Sequence, residues 1–166
     1  MQGLGGLSIG PLADRRGLSK SGLFAHFQSK EALQVETLHH AAERFRADVS
    51  EPVRSVANSA DRLAFFFGRW IDWLEDSRLS GSCPILSAGI EFDDVPGPVR
   101  DTAAQHLGEL QALIVKFARA ARPKGDADAT AAAVIGLAMS HLVRSRLLGE
   151  DKARVVTLRA FEALLR

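Results

Sequence analysis

The sequence predicts an all-α protein, a helix-turn-helix head joined to a helical bundle. Three observations predict it. Residues 17–27, GLSKSGLFAHF, set a turn glycine, a capping serine and the apolar pair Leu23 and Phe27 in the order that two short helices need around a tight turn. From residue 29 onward, apolar side chains recur at helical spacing between breaks that contain proline or glycine. Hydrophobic residues make up 46% and charged residues 25% of 166 positions, a globular balance long enough for one or two small domains with a real core.

The head is read from its punctuation. The glycine-rich residues 1–7 read as a flexible lead-in. Ser8 is a candidate cap for a helix over 9–16, with Pro11 tolerated in its opening turn. Gly17 can end that helix with φ > 0, and Leu18 is placed to pack between the two helices. Ser19 caps the second helix, Lys20–Phe27, with Leu23 and Phe27 inward and a polar, basic outer face. Ser29 then caps a long helix to about Val49 carrying Leu33, Leu38, Ala41, Phe45 and Val49. Within it, the adjacent His39 and His40 diverge by about 100° and read as surface residues, with no metal site expected.

The bundle follows in the same way. Pro52 marks a break, and Ser59 or Asp61 is expected to cap a strongly apolar helix to about Asp76. Leu63, Phe65, Phe66, Phe67, Trp70, Ile71, Trp73 and Leu74 fall on it. Residues 77–84 form a loop containing Gly81 and Cys83, and Pro84 suits the first turn of another helix. Glu91, Asp93 and Asp94 read as a solvated turn before Pro96 and Gly97. Pro98 opens a helix to about Arg122, and Asp126 or Asp128 caps a small-residue helix to about Leu148. That helix carries almost no charge between Thr130 and Leu142, so it should be covered nearly all round. Gly149 ends it, and 150–166 form a final amphipathic helix.

Charge and cysteine content narrow the function. Net charge is only +1, but residues 1–30 hold Arg15, Arg16, Lys20 and Lys30 against Asp14 alone. A basic head on a nearly neutral chain is the footprint of a phosphate-backbone contact. A single cysteine, Cys83, excludes an internal disulfide and a cysteine-based zinc site. The start of the chain lacks a signal peptide's pattern, and no uncharged apolar run is long enough for a bilayer, so a cytoplasmic location is expected. No phosphate loop, nucleophile motif or metalloenzyme motif appears, so no enzyme activity and no cofactor are expected.

Ile9, Leu12, Ala13, the run GLSK at 17–20, Leu23, Phe24, His26, Phe27 and the run SKEAL at 29–33 together resemble the DNA-binding head of the TetR family of bacterial transcriptional regulators. The resemblance implies residues 1–48 as the head with its connecting helix, and 49–166 as a regulatory, ligand-binding and dimerisation domain. It also implies a further amphipathic helix ahead of residue 9, absent from this sequence, so the head is expected to be incomplete at its N-terminus. By the same resemblance Ser19, Lys20, Ser21, Gly22, Phe24, Ala25, His26 and Lys30 lie where the family meets base edges and phosphates. Phe24 stands where the family usually has tyrosine, and its ring reads equally well as core. Residues 81–100 resemble a segment seen in one subset of TetR-like regulatory domains.

The aromatics of 62–76 have two readings. One is core packing; the other is a pocket for an apolar or aromatic effector, lined by Phe66, Phe67, Trp70 and Trp73 with Cys83 and Phe92. The resemblance implies a homodimer paired through the two C-terminal helices, acting on a palindromic double-stranded DNA operator and released by a small-molecule effector. A dimeric ligand-binding module with a defective head is the alternative.

Overall fold

The computed structural model describes residues 3–17, 19–76 and 83–166. Every regular element among them is helical: α1 (Ile9–Arg16), α2 (Lys20–Phe27), α3 (Lys30–Phe45), α4 (Arg62–Glu75), α5 (Pro84–Glu91), α6 (Pro98–Ala121), α7 (Ala127–Leu142) and α8 (Ala153–Leu165). None of the described helices is long and apolar enough to cross a membrane. The expectations for Leu18, for the Arg15 side chain and for the loop at 77–82 lie outside the described residues. Two compact units form, one from Met1–Arg44 with Ser80–Leu107 and the other from Phe45–Leu79 with Gly108–Arg166.

In the first unit, α1 and α2 end where the sequence punctuates them. Gly17 sits at φ 63°, ψ 28°, and its N–H reaches the carbonyl of Ala13. Ser19 caps α2, and Ser29 caps α3 by accepting from the N–H of Ala32 at 3.0 Å. Ser8 does not cap α1 through its side chain. Gln28, between α2 and α3, holds φ 61°, a left-handed value that a non-glycine residue reaches only with strain. The core of this unit collects Ile9, Ala13, Leu33 and Leu38 with Ile85, Leu86, Val99 and Ala103.

The lead-in departs from expectation. Leu4–Gly6 form a 3-10 turn, and Leu4 is buried. Its carbonyl accepts from Nε2 of the buried Gln34 at 2.8 Å, and the Gly5 N–H donates to Oε1 of Glu91 at 2.8 Å. Three glycines in seven positions suggest freedom, but partners 30 and 86 residues away fix the backbone.

In the second unit, α4 buries Leu63, Phe66, Phe67, Trp70, Ile71, Trp73 and Leu74, a wide apolar stripe at i, i+3, i+4 and i+7. The expected caps at Ser59 and Asp61 are not formed. Asn58 accepts from the Ala60 N–H and opens a 3-10 turn that leads into α4; Asp61 stands at the N-cap position of α4, but its carboxylate accepts from Nδ2 of Asn58 and makes no cap bond. Ahead of it, α3 stops at Phe45 and continues as a π turn over Arg46–Ser50 and a 3-10 turn over Glu51–Ser55. Pro52 explains the change, because it offers no N–H to the carbonyl of Asp48 four residues earlier. Nε and a terminal nitrogen of Arg69 donate to that carbonyl instead, at 3.1 and 2.7 Å.

Asp126 caps α7 by accepting from the Ala129 N–H, and Gly149 at φ 63° follows the π turn Val143–Leu147. One face of α7 is buried through Thr130, Ala131, Val134, Ala138 and His141. The expectation of cover all round is not met within one chain: Ala129, Ala132, Gly136 and Ser140 form an exposed stripe of small residues. Between α8 and α4, Arg154 donates to Oε2 of Glu75 at 2.6 Å and to Oδ1 of Asp72 at 2.7 Å. Those carboxylates hold its guanidinium protonated more firmly than usual, Asp72 most of all.

Candidate nucleic-acid interface and effector cleft

Residues 8–30 build the candidate interface. Ser19 precedes α2 in extended conformation, and its Oγ accepts from the Gly22 N–H at 3.0 Å. A Cβ on Gly22 would stand 2.7 Å from that Oγ, so the glycine keeps the cap intact. Beyond the cap, Lys20, Ser21, Gly22, Phe24, Ala25 and His26 are all exposed on α2. Nζ of Lys20 lies 3.3 Å from Oδ1 of Asp14, both side chains about two-thirds exposed. Such a surface pair contributes little and is readily exchanged for a phosphate.

Phe24 is 58% exposed, so its ring is outside this chain's core, while Leu23 and Phe27 are half-buried. The His26 ring meets the Phe27 ring edge-on at 4.6 Å. Lys30, in the first turn of α3, is exposed, and its ammonium donates to the carbonyl of Gly5. The eight positions named from the sequence thus lie on α2, its cap and the start of α3, with the donors of Lys20 and Lys30 already bonded within the chain.

The aromatic expectation resolves differently from residue to residue. Phe66, Phe67 and Trp70 are fully buried and Trp73 nearly so. The Phe45 ring stands edge-on to Phe66, Trp70 and Trp73 at 6.2, 6.0 and 5.7 Å. Phe67 stacks on Phe161 at 4.3 Å with the planes 12° apart. Of these residues Trp73 alone lines a cleft of about 270 Å³, together with Asp48, Val49, Arg69, Asp72 and Asp76. Cys83 is buried ahead of α5 and Phe92 is half-buried behind it, both in the other unit.

Sequence reasoning missed the acidic and basic lining of this cleft. Its signal was present in the spacing of Arg69, Asp72 and Trp73, which share one face of α4 at i, i+3 and i+4, with Asp76 following at the C-cap. Asp48 could not be found that way, because it joins from a separate turn.

The Tetracyclin repressor-like, C-terminal domain model matches residues 59–161. This chain belongs to the TetR family. A TetR transcriptional regulator from Chloroflexus aurantiacus J-10-FL superposes with a TM-score of 0.82 at 27% identity, over 98% of this chain and 83% of that one. SCO4454, a TetR-family transcriptional regulator from Streptomyces coelicolor, gives 0.84 at 19% identity over 96% and 84% of the two chains. AibR, solved in complex with isovaleryl coenzyme A and operator DNA, gives 0.73 at 17% identity over 98% and 86%. No curated protein matches significantly. The all-α fold of the TetR regulators is therefore the fold of this chain.

Proposed function

We propose that this TetR-family chain is a cytoplasmic, non-enzymatic transcriptional regulator, an effector-responsive repressor that acts as a homodimer on a palindromic operator. One observation carries the reading. Behind an αL glycine and a side-chain cap, α2 presents Lys20, Ser21, Gly22, Phe24, Ala25 and His26 to solvent along a helix short enough to lie in a major groove. Lys20 and Lys30 supply donors for phosphates, Ser21 and His26 supply donors for phosphates or base edges, and Gly22 lets the backbone come close. On this reading residues 1–48 are the head with its connecting helix, and 49–166 are the regulatory domain.

Dimerisation through α7 and α8 is supported by apolar surface that a single chain leaves exposed. Val143, Leu147, Leu148, Val155 and Val156 are all exposed there. Gly136 has no atom within 4 Å of where a Cβ would stand, leaving room for a helix from a second subunit. For the effector, the α4 rings Phe66, Phe67, Trp70 and Trp73 remain the proposed lining. Trp73 beside the cleft of about 270 Å³ is the ring with direct access. The AibR complex supports pairing of operator and small ligand as a possibility of this fold.

A second reading, a ligand-binding dimeric module whose head does not hold DNA, is favoured by one feature: no residue of α2 is fully buried. Titration against DNA from upstream of the gene, followed by an unbiased operator selection, separates the two. Saturable, salt-sensitive binding weakened by Lys20→Ala establishes the regulator. Failure on both DNAs leaves the ligand-binding module.

A further inference from the structure

His39, on α3, and His106, on α6, are 67 residues apart in sequence, yet Nδ1 of His39 lies 3.1 Å from Nε2 of His106. Both rings are partly buried, and they stand at 89° with centroids 5.2 Å apart. Rings that present one nitrogen each to the other make a hydrogen bond when one nitrogen carries the proton and the other does not. The same arrangement nearly fits a metal ion. Two imidazole nitrogens about 2.0–2.1 Å from one tetrahedral ion stand roughly 3.3–3.4 Å apart. The observed separation falls short of that by only a few tenths of an ångström, and both rings must also turn so that each lone pair points about 35° off the line between the two nitrogens.

We propose that His39 and His106 form a two-imidazole site for a divalent transition-metal ion of the zinc class. Neutral imidazole is the commonest nitrogen ligand for such ions, and magnesium and calcium prefer oxygen. Among the described residues no third histidine, cysteine or carboxylate converges on the pair. Water completes the coordination sphere, so the site is open and exchangeable. Binding requires each ring to keep its proton on the far nitrogen, Nε2 of His39 and Nδ1 of His106. The bridging proton therefore moves to a far nitrogen through solvent, and no net proton is released while both rings are neutral. His40, exposed on another side of α3, takes no part. The site stands whether or not the chain binds DNA.

Zinc titration of the full chain by calorimetry, with cobalt as a visible-absorption probe, tests the site. One equivalent per chain is expected. His39→Gln and His106→Gln should each weaken binding at least about tenfold, while His40→Gln leaves it unchanged. Glutamine retains a hydrogen-bonding amide, and circular dichroism reports whether each variant is folded. If one is not, imidazole nitrogen NMR of the unsubstituted protein decides, since zinc must shift both rings and fix His39 as the Nε2–H tautomer. No zinc binding, binding indifferent to both substitutions, or shifts confined to other histidines would overturn the site and leave a plain hydrogen bond.

Discussion

Arg69 on α4 donates two hydrogen bonds to the backbone carbonyl of Asp48, the carbonyl that Pro52 cannot serve. A helix is broken by proline at one place and its open acceptor is filled by a guanidinium from another helix. Removing the guanidinium leaves that acceptor without its charged donors. Arg69→Met, which keeps the aliphatic stem, is expected to lower stability by about 1.5–3 kcal/mol in urea unfolding. A change within about 0.5 kcal/mol would show that water replaces the arginine without cost.

His141 on α7 is fully buried, with Oγ1 of Thr157 at 3.4 Å from Nδ1. Oε1 of Glu75 is 3.4 Å from Nε2, in a geometry that makes no hydrogen bond. Burial pushes this imidazole below its usual pKa of 6.5; Glu75 opposes that shift, and Arg154 and Arg146 add to it. The folded pKa is thus lower than the unfolded one, and between the two the unfolded chain binds the extra proton. Stability is complete above about pH 6.5 and falls as pH drops below it, by at most about 1.4 kcal/mol per unit for this one proton. Urea unfolding of the wild type and His141→Gln from pH 8 to 5 measures the difference, in which the other histidines cancel. Parallel curves would exclude His141 as the source.

The head's helices were legible because their signals are local. Gly17 needs a positive φ and Ser19 reaches a backbone N–H three residues on, so the end of α1 and the start of α2 follow from neighbouring letters. Ser8 and Ser59 are equally plausible caps by type, yet neither caps the helix it was assigned through its side chain, and Asn58 instead caps the 3-10 turn ahead of α4. The order in 1–7 was hidden because Gln34 and Glu91 impose it from afar. In the effector region, helical periodicity placed the α4 rings on one side but could not separate Trp70, enclosed by other rings, from Trp73 beside the cleft. The His39–His106 contact joins two helices whose register no single stretch encodes.

Cap and charge at the proposed interface can be separated. Ser19→Ala removes the acceptor for the Gly22 N–H and should cost about 1 kcal/mol of stability while leaving the salt dependence of DNA binding intact. Lys20→Ala removes only an exposed pair with Asp14, so stability should hardly change. It should instead reduce the slope of log affinity against log salt by about 1. Equal slopes for wild type and Lys20→Ala would remove Lys20 from the phosphate contacts.

The stack of Phe67 on Phe161 ties α8 to α4, with both rings buried. Phe161→Ala deletes a buried ring and leaves a cavity beside Phe67, at an expected cost of about 3–5 kcal/mol. Phe161→Leu retains most of the apolar volume and should cost well under half of that. Equilibrium unfolding by tryptophan fluorescence suits both, because Trp70 and Trp73 are on α4. Equal losses for the two variants would mean that ring shape, not volume, secures α8.

Leu147 and Leu148, 79% and 60% exposed after α7, place large apolar side chains in water for no benefit to a single chain. Val155 and Val156 do the same on α8. If a second subunit covers this surface, Leu147→Glu puts a charge into a dry interface while leaving the isolated chain's core untouched. Sedimentation velocity should then show a dimer for the wild type and a shift to monomer for Leu147→Glu, with helicity unchanged by circular dichroism. Operator affinity should fall in the same variant, because a palindromic site holds two heads only when the subunits stay paired. A wild type that sediments as a monomer at tens of micromolar would refute the pairing. A dimer indifferent to Leu147→Glu would move it off this surface.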